Sequence, residues 1–127
     1  MSSPRPLRPH DGPRIVICDA DPLLRSVTGV LRVNGYEVFQ AHDGHAAEEL
    51  CALPNVKLLA VNAYRTGISI GELGRRIRAA RPGLPILHIG SSLPDSLPVY
   101  VSTLPEVFTP ERLLLTVERL IEVWRKP

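Results

Sequence analysis

The positions where this chain can do chemistry are polar residues that directly follow short apolar runs. Asp19 and Asp21 follow Ile15-Val16-Ile17-Cys18, Asn62 follows Leu58-Leu59-Ala60-Val61, and Ser91 comes just after the run that ends at Ile89. Such runs read as strands, and where strands alternate with helices, ligands and reactive groups gather at the carboxyl ends of the strands. A carboxylate placed there is a nucleophile or a ligand for a hard cation. Asn62 stands where that pattern leads one to look for a reactive aspartate. Its side chain is neutral and its amide oxygen is a poor nucleophile, so the plainer reading is a strand-end amide bonded to nearby loop groups. His42 and His45 flank Asp43 and invite a metal reading. With no third ligand close in sequence, they read instead as exposed loop histidines, and no metal is assigned. Arg75, Arg76, Arg78 and Arg81 form the densest basic cluster. Lacking interleaved aromatic residues, it reads as a solvated helix face rather than a nucleic-acid surface.

The elements that position these residues follow from the punctuation between them. Residues 1–13 hold Pro4, Pro6, Pro9 and Pro13 with Arg5 and Arg8, and read as a mobile tail; residues 14–127 read as the domain. Strand one is 15–18. Asp21-Pro22 then opens a helix whose inward stripe is Leu24, Val27 and Leu31 and whose end is Asn34-Gly35. Tyr36 to Ala41 is strand two. Asp43-Gly44 opens a helix carrying Ala46, Ala47 and Leu50, and Leu53-Pro54-Asn55 stops it. Val56 to Val61 is apolar almost throughout, as the centre of a parallel sheet covered on both faces should be. A helix from about Ser69 to Ala80 turns Leu73 and Ile77 inward, Arg81-Pro82-Gly83 breaks it, and Pro85 to Ile89 is strand four. Pro94 and Pro98 forbid a normal three-turn helix over 91–98, so an irregular loop is expected there. Val99-Tyr100-Val101 is the expected fifth strand. Thr109-Pro110-Glu111 caps a final helix with Leu113, Val117, Leu120, Ile121 and Trp124 on one face.

Composition narrows the class. A chain of 127 residues that is 44% hydrophobic fits one domain able to bury its own core. Cys18 and Cys51 read as buried thiols of a reducing compartment, and no apolar stretch approaches a membrane span or the core of a signal peptide. A cytoplasmic protein without a membrane association is expected. The net charge of +2 demands no nucleic-acid partner.

This order of elements, with these turn residues, resembles the receiver domain of two-component response regulators over about residues 14 to 124. The likeness rests on 15–25 (IVICDADPLLR), 35–44 (Gly-Tyr-Glu-Val through Ala-His-Asp-Gly), 71–78 (GELGRRIR), 84–87 (LPIL) and 108–113 (FTPERL). It implies an α/β, flavodoxin-like five-stranded parallel sheet of order 2-1-3-4-5 with helices on both faces, the fourth helix eroded. Receivers use two acids after strand one, a phosphoacceptor aspartate after strand three, a Ser or Thr after strand four and a Lys after strand five. Carried over by position, Asp19 matches the first acid and Ala20 replaces the second. Asn62 replaces the phosphoacceptor, Gly90 replaces the hydroxyl residue with Ser91 one place late, and Glu106 replaces the Lys. Exchanging that Lys for Glu about 4 Å from a phosphoryl oxygen turns an attraction of about 4 kcal/mol into a comparable repulsion. Asp19 alone also leaves Mg²⁺ short of the two or three carboxylates it has in receivers.

The resemblance therefore implies a degenerate receiver, bacterial and without enzymatic activity or cofactor, that has left the phosphorelay and signals by protein-protein contact. The family's aromatic switch position falls on Thr103, and Glu106 reads either as a solvated acid or as a partner of Arg65 in place of the family's Lys-to-aspartate link. Leu93, Leu97, Val99 and Tyr100, with Trp124 on the last helix, form a candidate interface for a protein partner or a second copy. Two alternatives stay open. One is a receiver modified at an unconventional residue such as Asp19, or controlled by another ligand. The other is a flavodoxin-like enzyme or nucleotide binder, against which stands Asp19-Ala20-Asp21-Pro22 where a glycine-rich phosphate loop would lie. No output domain follows Trp124, so the chain is expected to be either free-standing or part of a longer regulator.

Overall fold

The computed structural model describes residues 12–18, 25–62, 70–90, 101–104 and 108–125. Five strands form one parallel sheet: β1 (Arg14–Cys18), β2 (Glu37–Ala41), β3 (Val56–Val61), β4 (Ile86–Ile89) and β5 (Val101–Leu104). Their spatial order is β2-β1-β3-β4-β5, the order that the resemblance to receivers implies. Among the described residues four helices accompany them: α1 (Arg25–Val33), α2 (Gly44–Cys51), α3 (Ile70–Ala80) and α4 (Pro110–Arg125).

Side chains that alternate along each strand supply two separate cores. Ile15, Ile17, Leu58, Ala60, Leu87, Ile89 and Leu104 pack with Val27 and Leu31 of α1 and Leu113, Val117 and Ile121 of α4. Val16, Cys18, Leu59, Val61, Ile86 and Val101 pack with Ala47 and Cys51 of α2 and Leu73 and Ile77 of α3. Strands β1, β3 and β4 are buried on both faces, which is why their sequences are nearly unbroken apolar runs.

The local stop signals act as their chemistry requires. Gly35 takes φ 95°, and the Tyr36 N–H reaches the Leu31 carbonyl while the Gly35 N–H reaches that of Arg32. That is the paired bonding of a Schellman cap, which closes the carbonyl end of α1. Asp43 accepts the Ala46 N–H at 2.9 Å, and Thr109 Oγ1 accepts the Arg112 N–H at 3.1 Å, so α2 and α4 begin at the residues expected to cap them.

Four details differ from the sequence reading. β5 is described from Val101 to Leu104 and so extends three residues past the expected end at 101; its buried ends and more exposed middle are the half-covered pattern of an edge strand, while Val99, Tyr100 and the 91–98 segment lie outside the described residues. Leu120 is only partly buried. Gly12 and Pro13, read with the tail, are held by the fold. Asn55 Nδ2 donates to the Gly12 carbonyl at 3.2 Å, and the Glu37 N–H donates to that of Pro13 at 3.0 Å.

Arg81 is the fourth. Its guanidinium donates to the carbonyls of Cys51 at 2.9 Å, Leu53 at 3.3 Å and Val56 at 2.9 Å. Three acceptors converging on one planar donor tie the end of α2 to the start of β3, so this arginine is a structural clamp, not part of a solvated face. Arg75, Arg76 and Arg78 are exposed as expected, and Arg76 pairs with Glu72 at 3.0 Å and Glu48 at 3.6 Å.

Candidate functional site at the carboxyl edge of the sheet

The strand register brings together residues that are far apart in sequence. Cys18 pairs with Ala41 on one side and Val61 on the other, Val61 pairs with His88, and His88 pairs with Thr103. These five form one row across the sheet near its carboxyl edge. Asn62 follows directly; its N–H donates to the Cys18 carbonyl at 3.3 Å, which continues the β1–β3 ladder one step beyond the strand and fixes the residue. Asn62 is 7% exposed. The amide therefore sits at the central strand's carboxyl end, next to the point where the chain leaves β1 toward Asp19.

His88 is the site residue that sequence reasoning missed. It lies two residues beyond Ile86, on the sheet face covered by α2 and α3, and is fully buried. Neither Nδ1 nor Nε2 has a hydrogen-bond partner among the described residues. Burial pushes its pKa below the ordinary histidine value, so the ring is neutral. The signal in the sequence was a single histidine inside the apolar run Ile86-Leu87-His88-Ile89.

Gly90 completes the cluster. Its N–H donates to the Leu104 carbonyl at 3.1 Å, tying the end of β4 to β5. A Cβ at this position would lie 3.2 Å from His88 Cε1, 3.5 Å from Nε2 and 3.7 Å from Asn62 Nδ2. The imidazole thus occupies the room that a side chain at position 90 needs. Gly90→Thr is expected to cost about 1–3 kcal/mol through overpacking. Part of that cost returns when His88→Ala is added. Thermal melts of the two single variants and the double variant check this; additive effects would show that the ring and residue 90 do not compete.

Thr103 is exposed on β5, beside His88. His42 and His45 are exposed at the start of α2. Both cysteines are free and buried. The Cys51 thiol is pushed up to about 12, chiefly by burial, with Arg81 lowering it and Cys18 raising it; a thiol held that far from its thiolate is not a nucleophile. Asp19, Ala20, Arg65, Ser91, Leu93, Leu97 and Glu106 lie outside the described residues, as does the side chain of Trp124, whose backbone belongs to α4. No helix among the described residues is long and apolar enough to cross a membrane.

A parallel 2-1-3-4-5 sheet with helices on both faces is the flavodoxin-like arrangement of CheY-like proteins. The sequence matches no family model and no curated protein. Solved structures agree on the fold. The receiver domain of the hybrid histidine kinase CckA is similar with a TM-score of 0.71 and 25% identity, covering 85% of this chain and 98% of that one. A CheY-like receiver domain protein from Methanospirillum hungatei JF-1 superposes with a TM-score of 0.79 at 20% identity, covering 89% and 96%. The receiver domain of the sensor histidine kinase PA1611 from Pseudomonas aeruginosa PAO1, which holds a magnesium ion in its active-site cleft, superposes with a TM-score of 0.75 at 19% identity, covering 87% and 98%.

Proposed function

We propose that this chain is a degenerate receiver that works in bacterial two-component signalling by protein-protein contact, without phosphorylation. The observation that carries the reading is Asn62 at the end of the central strand, in the position of the receiver phosphoacceptor. An amide there has no anionic oxygen to attack a phosphoryl donor. The neighbouring positions support the same reading. Asp19 is one carboxylate where receivers bring two or three around Mg²⁺, and Ala20 and Asn62 put a methyl group and a neutral amide at the other two positions, so the residues fit the ion poorly. At Gly90 the family's hydroxyl is replaced by open backbone against the His88 ring, and Glu106 carries the wrong sign for a phosphoryl group. Lacking these groups, the protein works as a contact module in the cytoplasm rather than as an enzyme.

Beryllofluoride, a phosphoryl mimic, tests the reading. Titrated with Mg²⁺ into the labelled protein, it is expected to leave the amide resonances of Asn62, Gly90 and β5 unmoved; saturable shifts at those positions would overturn the reading. The contact surface is assigned to Leu93, Leu97, Val99 and Tyr100, whose large apolar side chains are close in sequence, extended by Trp124 of the last helix, and it meets a protein partner or a second copy. Light scattering on Leu97→Asp/Tyr100→Ser should show a smaller species with an unchanged melting temperature. Lower stability in a protein that is monomeric without the substitutions would show instead that these residues belong to the core.

A further inference from the structure

At the opposite edge of the sheet, a groove of about 590 Å³ runs between the start of β1 and α4, lined by Pro13, Tyr36, Leu115, Glu118, Arg119, Ile121 and Glu122. Its floor is apolar: Ile121 is buried, Tyr36 is half-buried and Leu115 remains 48% exposed. Its wall is acidic. Glu118 lies close enough to Tyr36 to add to the burial that raises the tyrosine hydroxyl's pKa, and Glu122 follows one turn later. The chain enters at this groove. Gly12 packs against the Gly35 carbonyl, the Gly12 and Pro13 carbonyls are both bonded, and Pro13 is itself part of the lining. Residues 1–11 are therefore tethered at the groove's end.

We propose that residues 4–9 (PRPLRP) of the same chain dock in this groove as a polyproline II segment. Polyproline II has three residues per turn, so one edge of the segment carries Arg5 and Arg8, a second Pro6 and Pro9, and a third Pro4 and Leu7. Two apolar edges meet Tyr36, Leu115 and Ile121, while the guanidinium edge meets Glu118 and Glu122. Proline-rich segments bind aromatic-lined grooves in this manner, and their pre-set backbone keeps the ordering entropy small. Reach is ample. Nine steps from Pro4 to Pro13 span about 28 Å at 3.1 Å per residue, whereas the helix from Leu115 to Glu122 rises only about 10 Å. A tether this short also gives an effective concentration on the order of millimolar, so a weak site suffices.

A nitroxide on Ser3→Cys in the full chain tests this, the native thiols being buried. Selective loss of amide intensity is expected at Leu115, Glu118, Arg119 and Glu122. Arg5→Glu/Arg8→Glu, which cannot disturb the folded core, should restore those intensities. Combining it with Glu118→Lys/Glu122→Lys should bring the loss back. No selective loss, or a loss unchanged by the arginine reversal, overturns the proposal. So does a loss of equal size when the nitroxide is on unlabelled molecules mixed with labelled ones, because the occupant would then be a second copy's tail.

Discussion

Incubated with acetyl phosphate and Mg²⁺, the protein is expected to gain no base-labile phosphoryl mass. The reaction requires an oxygen anion in line with the phosphorus and cations around the transferred group. Asn62 offers an amide in place of the anion. Asn62→Asp alone is expected to remain unlabelled, because groups that act as one unit fail together and Ala20, Gly90 and Glu106 are unchanged. Restoring the nucleophile leaves unchanged Ala20, Gly90 and Glu106, the positions that the proposed reading matches to a metal ligand, a hydroxyl and a lysine. Intact mass before and after mild base checks both proteins. A base-labile gain of one phosphoryl group in the parent chain would refute the degenerate reading, whereas a gain in Asn62→Asp alone would show that the nucleophile was the single missing part.

His88→Met is expected to stabilise the fold, a reversal of the usual outcome for a core substitution. The imidazole is fully buried with both nitrogens unpartnered among the described residues, and each buried polar group without a hydrogen bond costs about 1–3 kcal/mol. Methionine fills a comparable volume and has no hydrogen bond to lose. The gain should also depend on pH. The folded-state pKa of His88 lies below its unfolded value of about 6.5, so as pH falls the unfolded chain takes up the proton first. Stability is therefore full above about pH 6.5 and falls as the solution is acidified toward the folded pKa, with a limiting slope of about 1.4 kcal/mol per pH unit. Denaturant midpoints at pH 7.5 and 5.5 should diverge for the parent and less so for His88→Met. Equal pH dependence in the two proteins would place the acid sensitivity elsewhere.

The sequence by itself determined the features whose causes are local. Asp43 and Thr109 cap their own helices, Asn34-Gly35 closes α1 within one turn, and the apolar run at 56–61 is the central strand with the expected limits. Each such signal acts over a short stretch of chain, so it can be read without knowing what lies opposite. Alternating strand and helix signals gave the element types, while the 2-1-3-4-5 order was implied by the resemblance to receivers and is the order the sheet has.

Tertiary structure decided whatever depends on partners distant in the chain. Arg81 reads as one more surface arginine until three carbonyls at 51, 53 and 56 converge on it. β5 continues past Val101 to Leu104, through Ser102 and Thr103, since an edge strand is delimited by its pairing with β4 and not by hydrophobicity. His88 gains meaning only from strand register, which stands it beside Val61 and Thr103 with its ring against Gly90. Side-chain type states what a residue can do; at the carboxyl edge, packing between strands well separated in sequence selected which of those residues share a site.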